Sequence, residues 1–137
     1  ADRDWSSDVC SSDLLDYFKF CQMVVQDGEL NGVRIAKPST IAMMKTDQTP
    51  LNLEAAITPT DDLKNNGFTF GYAIKRKEIG NDPRPAGTIY WSGATGPIFF
   101  IDPIHELIAM LLYQRPSTAP TNIRTNFKSW VMKSLIK

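Results

Sequence analysis

The hydrophobic pattern is strongest in residues 86–114, where three β-rich runs are separated by two turn signals. The turns are Gly93-Ala94-Thr95-Gly96 and Asp102-Pro103, and aromatic and branched residues dominate the runs between them. Parallel neighbours need long crossover connections, so two short turns predict an antiparallel meander. Glycine lets a backbone approach a ligand closely, so any chemistry of the meander is expected at the turn between Gly93 and Gly96.

Hydrophobic residues repeat every three to four positions on both sides of the meander, which predicts covering helices. Residues 15–25 predict a first helix that ends at Asp27-Gly28, because glycine is a common C-terminal stop. Its apolar stripe is formed by Leu15, Phe18, Cys21 or Gln22, and Val25, widened by Phe20, Met23 and Val24.

The same periodicity predicts two further helices. Pro38 stands at a first helical position and begins a short one. Residues 122–136 are amphipathic and are expected to lie across the sheet. The stripe of this last helix is formed by Ile123, Phe127, Trp130, Val131 and Leu135.

Strand and turn signals also occur outside the meander. Asn31-Gly32 predicts a tight hairpin turn because both residues tolerate positive φ. Residues 67–74 alternate strictly and predict one strand, whereas residues 75–87 are charged, rich in proline and glycine, and predict a turn region. The whole pattern predicts an α+β fold in which helices cover an antiparallel sheet. The strand's shared face is formed by Phe68, Phe70, Tyr72 and Ile74.

Residues 46–66 form a long polar connection that contains two prolines. A connection of this length in a compact domain is usually functional or mobile. It either lines a substrate cleft or is a plain surface excursion, and the sequence leaves both readings open.

Composition narrows the class of protein. The 137 residues suffice for one domain with a core. The formal net charge is zero, so the composition does not indicate a basic surface for binding nucleic acid. No apolar run approaches the ~20 residues of a membrane-spanning helix. Cys10 and Cys21 lack metal spacing, and free thiols are favoured over a bridge. His105 is the only histidine, so a zinc site would lack ligands.

Residues 1–14 differ from the rest because they repeat Ser-Ser-Asp and have neither helical nor strand periodicity. They resemble one reading-frame translation of a widely used sequencing adapter. On that reading they are an artefactual or disordered arm and are excluded from fold reasoning. The protein would then be residues 15–137, with an N-terminal portion missing. The alternative is a natural polar arm.

Three stretches together resemble the C-terminal part of the β-lactamase-related serine hydrolases. They read DYFKFCQMVVQDGELNGVRIAKPSTIAMMKTDQ, GFTFGYAI and GTIYWSGATGPIFFIDPIHELIAMLLYQ. The family includes class C β-lactamases, D-alanyl-D-alanine peptidases and esterases of the same fold. The resemblance covers residues 15–137 and is specific in its combination of elements. It implies a partial penicillin-binding-protein-like fold, no cofactor, and periplasmic, secreted or cytoplasmic parents, so localisation stays open.

The family's catalysis needs a Ser-x-x-Lys nucleophile, a Tyr-x-Asn motif and a Lys-Thr-Gly-like strand. The chain has no Tyr-x-Asn, and its one Ser-x-x-Lys runs from Ser134 to Lys137 at the very end of the last predicted helix. Both motifs would belong to the missing N-terminal portion. We therefore expect the chain alone to be catalytically inactive.

The third motif survives in altered form as Trp91-Ser92-Gly93. The resemblance implies that these residues contact substrate and that the backbone N–H of Ala94 belongs to the oxyanion hole. Trp91 replaces the lysine or histidine of many members, and an indole offers no cation to a substrate carboxylate. Tryptophan here resembles the esterase-like branch, which shifts the expected small-molecule substrate of the parent, an ester or amide, toward neutral esters.

Each residue of the motif also has a structural interpretation. Trp91 is a core or cleft-wall aromatic on that reading, and Ser92 a satisfied strand hydroxyl. Asp102-Pro103 is expected to form a turn, with His105 at the surface beside it. The alternative function is a non-catalytic binding module whose aromatic sheet face meets a partner. If half of a domain is missing, exposed sheet surface also predicts non-specific self-association.

Overall fold

The computed structural model describes residues 14–49, 66–77, 82–93, 95–114 and 122–135. Three α-helices, seven strands and short turns make up these ranges. The helices are α1 (Leu14–Val25), α2 (Pro38–Met44) and α3 (Ile123–Ser134). The strands are β1 (Glu29–Leu30), β2 (Val33–Arg34), β3 (Asn66–Phe68), β4 (Ala73–Lys75), β5 (Ile89–Ser92), β6 (Ile98–Asp102) and β7 (Leu107–Leu111).

The main sheet has five antiparallel strands in the order β3-β4-β5-β6-β7. Its last three strands are the predicted meander, which is confirmed with Trp91 opposite Phe99 and Phe100 opposite Ala109. The α+β prediction is confirmed with it. In the small β1–β2 hairpin, Asn31 and Gly32 both have positive φ, as the turn prediction requires.

Helices cover both faces of the sheet. Helices α1 and α2 pack on one face around Phe99, with Cys21 and Ile41 fully buried there. Helix α3 packs on the other face around Phe100, through Phe127, Val131 and Met132. Phe99 and Phe100 are adjacent in β6, and adjacent residues of a strand point to opposite sides of the sheet. The two sets of helices therefore cover opposite faces of the same sheet.

The prediction of one strand over residues 67–74 is wrong, because this segment turns back on itself. Strands β3 and β4 form an antiparallel hairpin, and Thr69 N–H donates to Tyr72 C=O at 2.7 Å across its turn. Phe70 lies in that turn and is 65% exposed. Tyr72 and Ile74 lie on the same face of the sheet, as the alternation predicted. The alternation is equally compatible with a hairpin, so it does not distinguish a hairpin from one continuous strand.

The predicted turn region of residues 75–87 is wrong at its first residue, whereas Gly87 at the other end does lie in a turn. Lys75 belongs to β4, and its backbone exchanges hydrogen bonds with Thr88 and Gly87. Its side chain is buried, as is that of Arg84. The charged residues Lys75 and Arg84 therefore belong to a buried cluster and not to a solvent-exposed turn.

Two predicted helical stripes are partly rotated. Leu15 and Phe18 are exposed, while Tyr17 and Phe20 pack against the sheet with Cys21. In α3, Trp130 is 64% exposed, whereas Lys128 and Met132 are buried. The edge-to-face contact of Tyr17 with Phe99 and the buried ion pair of Lys128 with Asp82 accompany these orientations, and apolarity alone predicts neither contact.

Within the described ranges, the helices are all too short or too polar to cross a membrane.

Candidate active-site wall

The predicted substrate-binding residues lie together at the end of β5. Trp91 and Ser92 are its last two residues, and Gly93 follows directly. Ser92 pairs with Ile98, so the hairpin connection to β6 begins at Gly93. Ala94, the predicted oxyanion-hole residue, lies outside the described residues. Its role therefore remains a prediction.

The backbone around Gly93 closes a tight connection. Gly93 N–H donates to Pro97 C=O at 2.9 Å, and Gly96 N–H donates to Gly93 C=O at 3.2 Å. A Cβ on Gly93 would lie 2.8 Å from the Pro97 ring. The close approach that glycine permits here is therefore to Pro97.

Gly96 is required for two reasons. Its φ is +130°, and a Cβ on it would lie 2.5 Å from the ring of Tyr113. Tyr113 comes just after β7 and packs on the far end of the turn.

Arg124 in the first turn of α3 binds the same turn from another direction. Its Nε donates to Gly96 C=O at 2.8 Å, and its Nη2 donates to Gly93 C=O. Sequence reasoning missed this residue. The available signal was a cation in the first helical turn, where the macrodipole disfavours positive charge.

Trp91 is supported on its β3 side by Phe68. The two rings meet edge-to-face with centroids 5.1 Å apart, and 38% of Trp91 remains exposed. The indole is therefore packed on the side of Phe68, while a substantial part of its surface faces outward.

Phe68 is in turn held by Asp47. One carboxylate oxygen of Asp47 accepts from Phe68 N–H at 3.2 Å and from the Thr49 hydroxyl at 2.6 Å. The other accepts from Arg76 Nε at 2.5 Å. Burial opposes the charged form, but the hydrogen bonds from Arg76 and Thr49 outweigh it and lower the pKa of Asp47 to about 2. The start of the long connection is thus anchored to β3.

A charged cluster lies under α3. Arg84 is 1% exposed, makes a two-pronged ion pair with Asp82, and stacks its guanidinium 4.1 Å from the Tyr90 ring centre. The ammonium groups of Lys75 and Lys128 lie 3.9 and 3.8 Å from Asp82. Burial raises the pKa of Asp82, but hydrogen bonds and charge from Arg84, then Lys128, dominate and lower it to about 2.

The turn between β6 and β7 is built as predicted. Asp102 is fully buried and accepts hydrogen bonds from the backbone N–H groups of Ile104 and His105. His105 Nδ1 lies 2.6 Å from the same carboxylate, and 42% of the His105 side chain is exposed. Since β6 separates this turn from Gly93, His105 does not join the Trp91 wall.

The described ranges contain no group of three or more His, Cys, Asp or Glu side chains able to hold a metal ion. The described cysteine, Cys21, is a buried free thiol, as expected.

No family model matches the chain. Protein Rv1367c of Mycobacterium tuberculosis is 30% identical to it over 115 residues, which cover 72% of the chain and 26% of that protein. The protein MT1414 of another strain of the same organism gives the same figures. The chain therefore spans about a quarter of the length of the curated relatives it matches.

Solved structures agree over more of the chain. Simvastatin synthase (LovD) of Aspergillus terreus superposes with a TM-score of 0.70 at 17% identity, covering 88% of this chain and 34% of that one. EstCE1, a hydrolase with promiscuous acyltransferase activity, gives 0.65 at 20% identity, covering 85% and 29%. A candidate β-lactamase of Bacteroides dorei gives 0.50 at 15% identity, covering 89% and 40%. At these identities the similarity establishes the fold.

Proposed function

Because the chain shares the fold of the C-terminal portion of β-lactamase-family serine hydrolases, we propose that residues 15–137 complete the active site of an acyl hydrolase. The parent would cleave its substrate through a serine acyl-enzyme. Trp91, Ser92 and Gly93 would form one wall of the cleft. The observation that carries the proposal is the position of this motif at a strand end, followed by a glycine turn held from two sides.

In this proposal the backbone N–H of Ala94 binds the oxyanion of the tetrahedral intermediate. A main-chain donor serves whatever side chain the residue carries, and losing one such donor costs about 3 kcal/mol of barrier in acyl-transfer enzymes. Gly93 has no side chain, so the substrate could approach the backbone at the strand end closely, and the Ser92 hydroxyl would orient it.

The proposed substrate is a neutral ester. Trp91 has no cation for a carboxylate, and its partly exposed ring against Phe68 presents an apolar surface. The names of LovD and EstCE1 describe a simvastatin synthase and a hydrolase that also transfers acyl groups. The acyl transfer that the second name describes is consistent with an apolar wall.

The attacking serine is proposed to come from a part of the protein outside these 137 residues. The one Ser-x-x-Lys in the chain begins at Ser134, whose hydroxyl donates to Val131 C=O at 2.7 Å at the end of α3. It is engaged in the helix and remote in sequence from the wall. The isolated chain should therefore neither acylate nor turn over.

The first test uses the chain itself. Incubation with a chromogenic ester, with nitrocefin and with a serine-reactive fluorophosphonate should give no turnover and no covalent label. Turnover or labelling would refute the missing-nucleophile proposal.

The second test reads the source DNA upstream of the codon for Leu15. A continuous reading frame with Ser-x-x-Lys and Tyr-x-Asn would support the proposal, and its absence would refute it. The resulting longer protein should hydrolyse a p-nitrophenyl ester. Trp91→Lys should reduce its kcat/KM for neutral esters by about tenfold or more, because the substitution removes an apolar contact and introduces a misplaced charge. Trp130→Lys is the matched control, since Trp130 is an exposed indole on α3.

The alternative of a non-catalytic module receives less support. Tyr90, Phe99 and Phe100 are buried within the chain, so these strand aromatics offer no surface to a partner.

A further inference from the structure

One side chain joins the start of α3 to the glycine turn after β5. Arg124 donates from Nε to Gly96 C=O at 2.8 Å and from Nη2 to Gly93 C=O. The guanidinium is rigid and planar, so two such bonds set both the spacing and the direction of the two carbonyls. A flexible ammonium would not impose this geometry.

The turn is also fixed by packing. The Tyr113 ring occupies the space where a Cβ of Gly96 would lie, and the Pro97 ring does the same at Gly93. Both ends of the turn are therefore buttressed, and Arg124 adds a charged contact to the backbone hydrogen bond from Gly96 N–H to Gly93 C=O.

The position of Arg124 is unfavourable for the helix itself. It lies in the first turn of α3, which contains no acidic residue, and the positive end of the helix dipole disfavours a cation there. Its bonds to the two carbonyls are the interactions that offset this cost.

Peptide geometry connects these bonds to the proposed chemistry. The C=O of Gly93 and the N–H of residue 94 belong to one planar peptide unit, and in the trans form they point in opposite directions. Holding the Gly93 oxygen therefore directs that N–H. A charged donor on the oxygen also polarises the unit and strengthens the N–H as a donor.

We propose that Arg124 is a positioning residue that orients and polarises the backbone N–H of Ala94 for oxyanion binding. The oxyanion role rests on the proposed function. The positioning does not, and it can be measured in the 137-residue chain.

The experiment uses NMR on the isotope-labelled chain and three variants: Arg124→Gln, Arg124→Lys and the control Lys133→Gln. Lys133 is an exposed cation in the last turn of the same helix. Arg124→Gln should shift the Gly93 carbonyl resonance upfield. It should also lower the order parameters of Ala94 and Thr95 toward the range below ~0.6 of flexible backbone. Arg124→Lys keeps the charge but not the fork, so a partial change is expected, and Lys133→Gln should change neither quantity.

Two results would overturn the proposal. One is a folded Arg124→Gln or Arg124→Lys protein with unchanged turn resonances and order parameters. The other is an equal fall throughout β6, because Arg124 would then stabilise the fold without a specific effect on the turn.

The longer protein separates this inference from the proposed function. If it hydrolyses esters, Arg124→Gln should lower kcat by about ten- to a hundredfold with little change in KM. This reduction is smaller than that expected when an oxyanion-hole donor is lost completely. An unchanged kcat would overturn the catalytic part of the inference. If the longer protein has no hydrolase activity, the proposed function fails while the NMR result on the turn stands.

Discussion

The two faces of the sheet are closed by different chemistry. On the face covered by α1 and α2, the buried contacts are aliphatic and aromatic, with Tyr17 meeting Phe99 edge-to-face at 5.0 Å. On the face covered by α3, apolar contacts around Phe100 sit beside the ion pair of Asp82 and Arg84. One sheet thus carries an apolar core on one side and a mixed core on the other.

The difference bears on how each face responds to change. Apolar packing is non-directional, so its loss scales with the volume removed. A buried charge is stable only while it stays paired, so removing one partner leaves the other in a medium that cannot solvate it. We therefore expect the α3 face to depend on a single carboxylate, and the α1 face to depend on many contacts.

The largest effect is expected for Asp82→Asn. It leaves buried Arg84 without its counter-ion, close to two lysines, and should lower the free energy of unfolding by about 3–5 kcal/mol. Urea unfolding followed by circular dichroism measures this change. The exposed Asp16–Lys19 pair is the control, and Asp16→Asn should cost less than about 1 kcal/mol.

A second substitution sharpens this result. Arg84→Met in the Asp82→Asn background removes the unpaired charge and should recover a large part of the loss, because apolar replacements of buried pairs are often neutral. If Asp82→Asn proves as mild as Asp16→Asn, the α3 face does not depend on its ion pair.

The next effect concerns the apolar face. Ile41 is fully buried against α1 and the sheet, and Ile41→Ala should cost about 2–5 kcal/mol through lost burial and a cavity. Met43 in the same helix is half exposed, so Met43→Ala should stay within about 0.5 kcal/mol. Equal losses in the two variants, by urea unfolding, would mean that α2 does not pack as described.

The two faces should also fail at opposite ends of the pH scale. The pKa of Asp82 is about 2 in the folded protein, below that of an unfolded aspartate, so the unfolded state binds protons first. The stability from Asp82 is present above about pH 4 and is lost as pH falls toward 2. Asp47, with a pKa of about 2, adds to the same acid loss.

On the apolar face, burial raises the pKa of Tyr17 to about 12 and that of Tyr72 further. Unfolded tyrosine ionises near pH 10, so the stability from these groups is present below that pH and is lost above it. Urea midpoints from pH 2 to 12 measure both limits. Tyr72→Phe should flatten the alkaline side and Asp47→Asn the acid side, and the reverse pattern would contradict the assignment.

The smallest effect is expected at Trp130. Its ring is exposed on α3, so Trp130→Gln should change stability by no more than about 0.5 kcal/mol. Met132 is buried on the same helix, and Met132→Ala should cost about 2 kcal/mol. A large loss for Trp130→Gln would restore the helical orientation predicted from the apolar stripe.

Local signals were sufficient for much of the fold. Asn31-Gly32, Asp27-Gly28 and Pro38 predict a turn, a helix end and a helix start from the conformations their own backbones allow. The three runs of residues 86–114 predict β5, β6 and β7, because alternating aromatic and branched residues separated by short turns have few other solutions.

Long-range contacts decided what the patterns missed. The alternation over residues 67–74 is compatible with one strand or a hairpin, and pairing of β4 with β5 selected the hairpin. The Trp91 motif was found from sequence, but neither Arg124 nor Asp47 was. Arg124 lies more than twenty residues along the chain from Gly93 and Gly96, and Asp47 lies as far from Phe68 and Arg76.

The sequence by itself determined the three helices, the meander and the position of Trp91-Ser92-Gly93 at a strand end, because these depend on backbone preferences and short-range periodicity. Only the tertiary structure decided which charges are buried and what holds the glycine turn. Lys75, Arg84 and Lys128 look like solvated residues until folding brings them to Asp82, and Arg124 becomes a partner of Gly93 only when α3 packs on the sheet. A charge's environment is set by neighbours distant in sequence, which a local pattern does not contain.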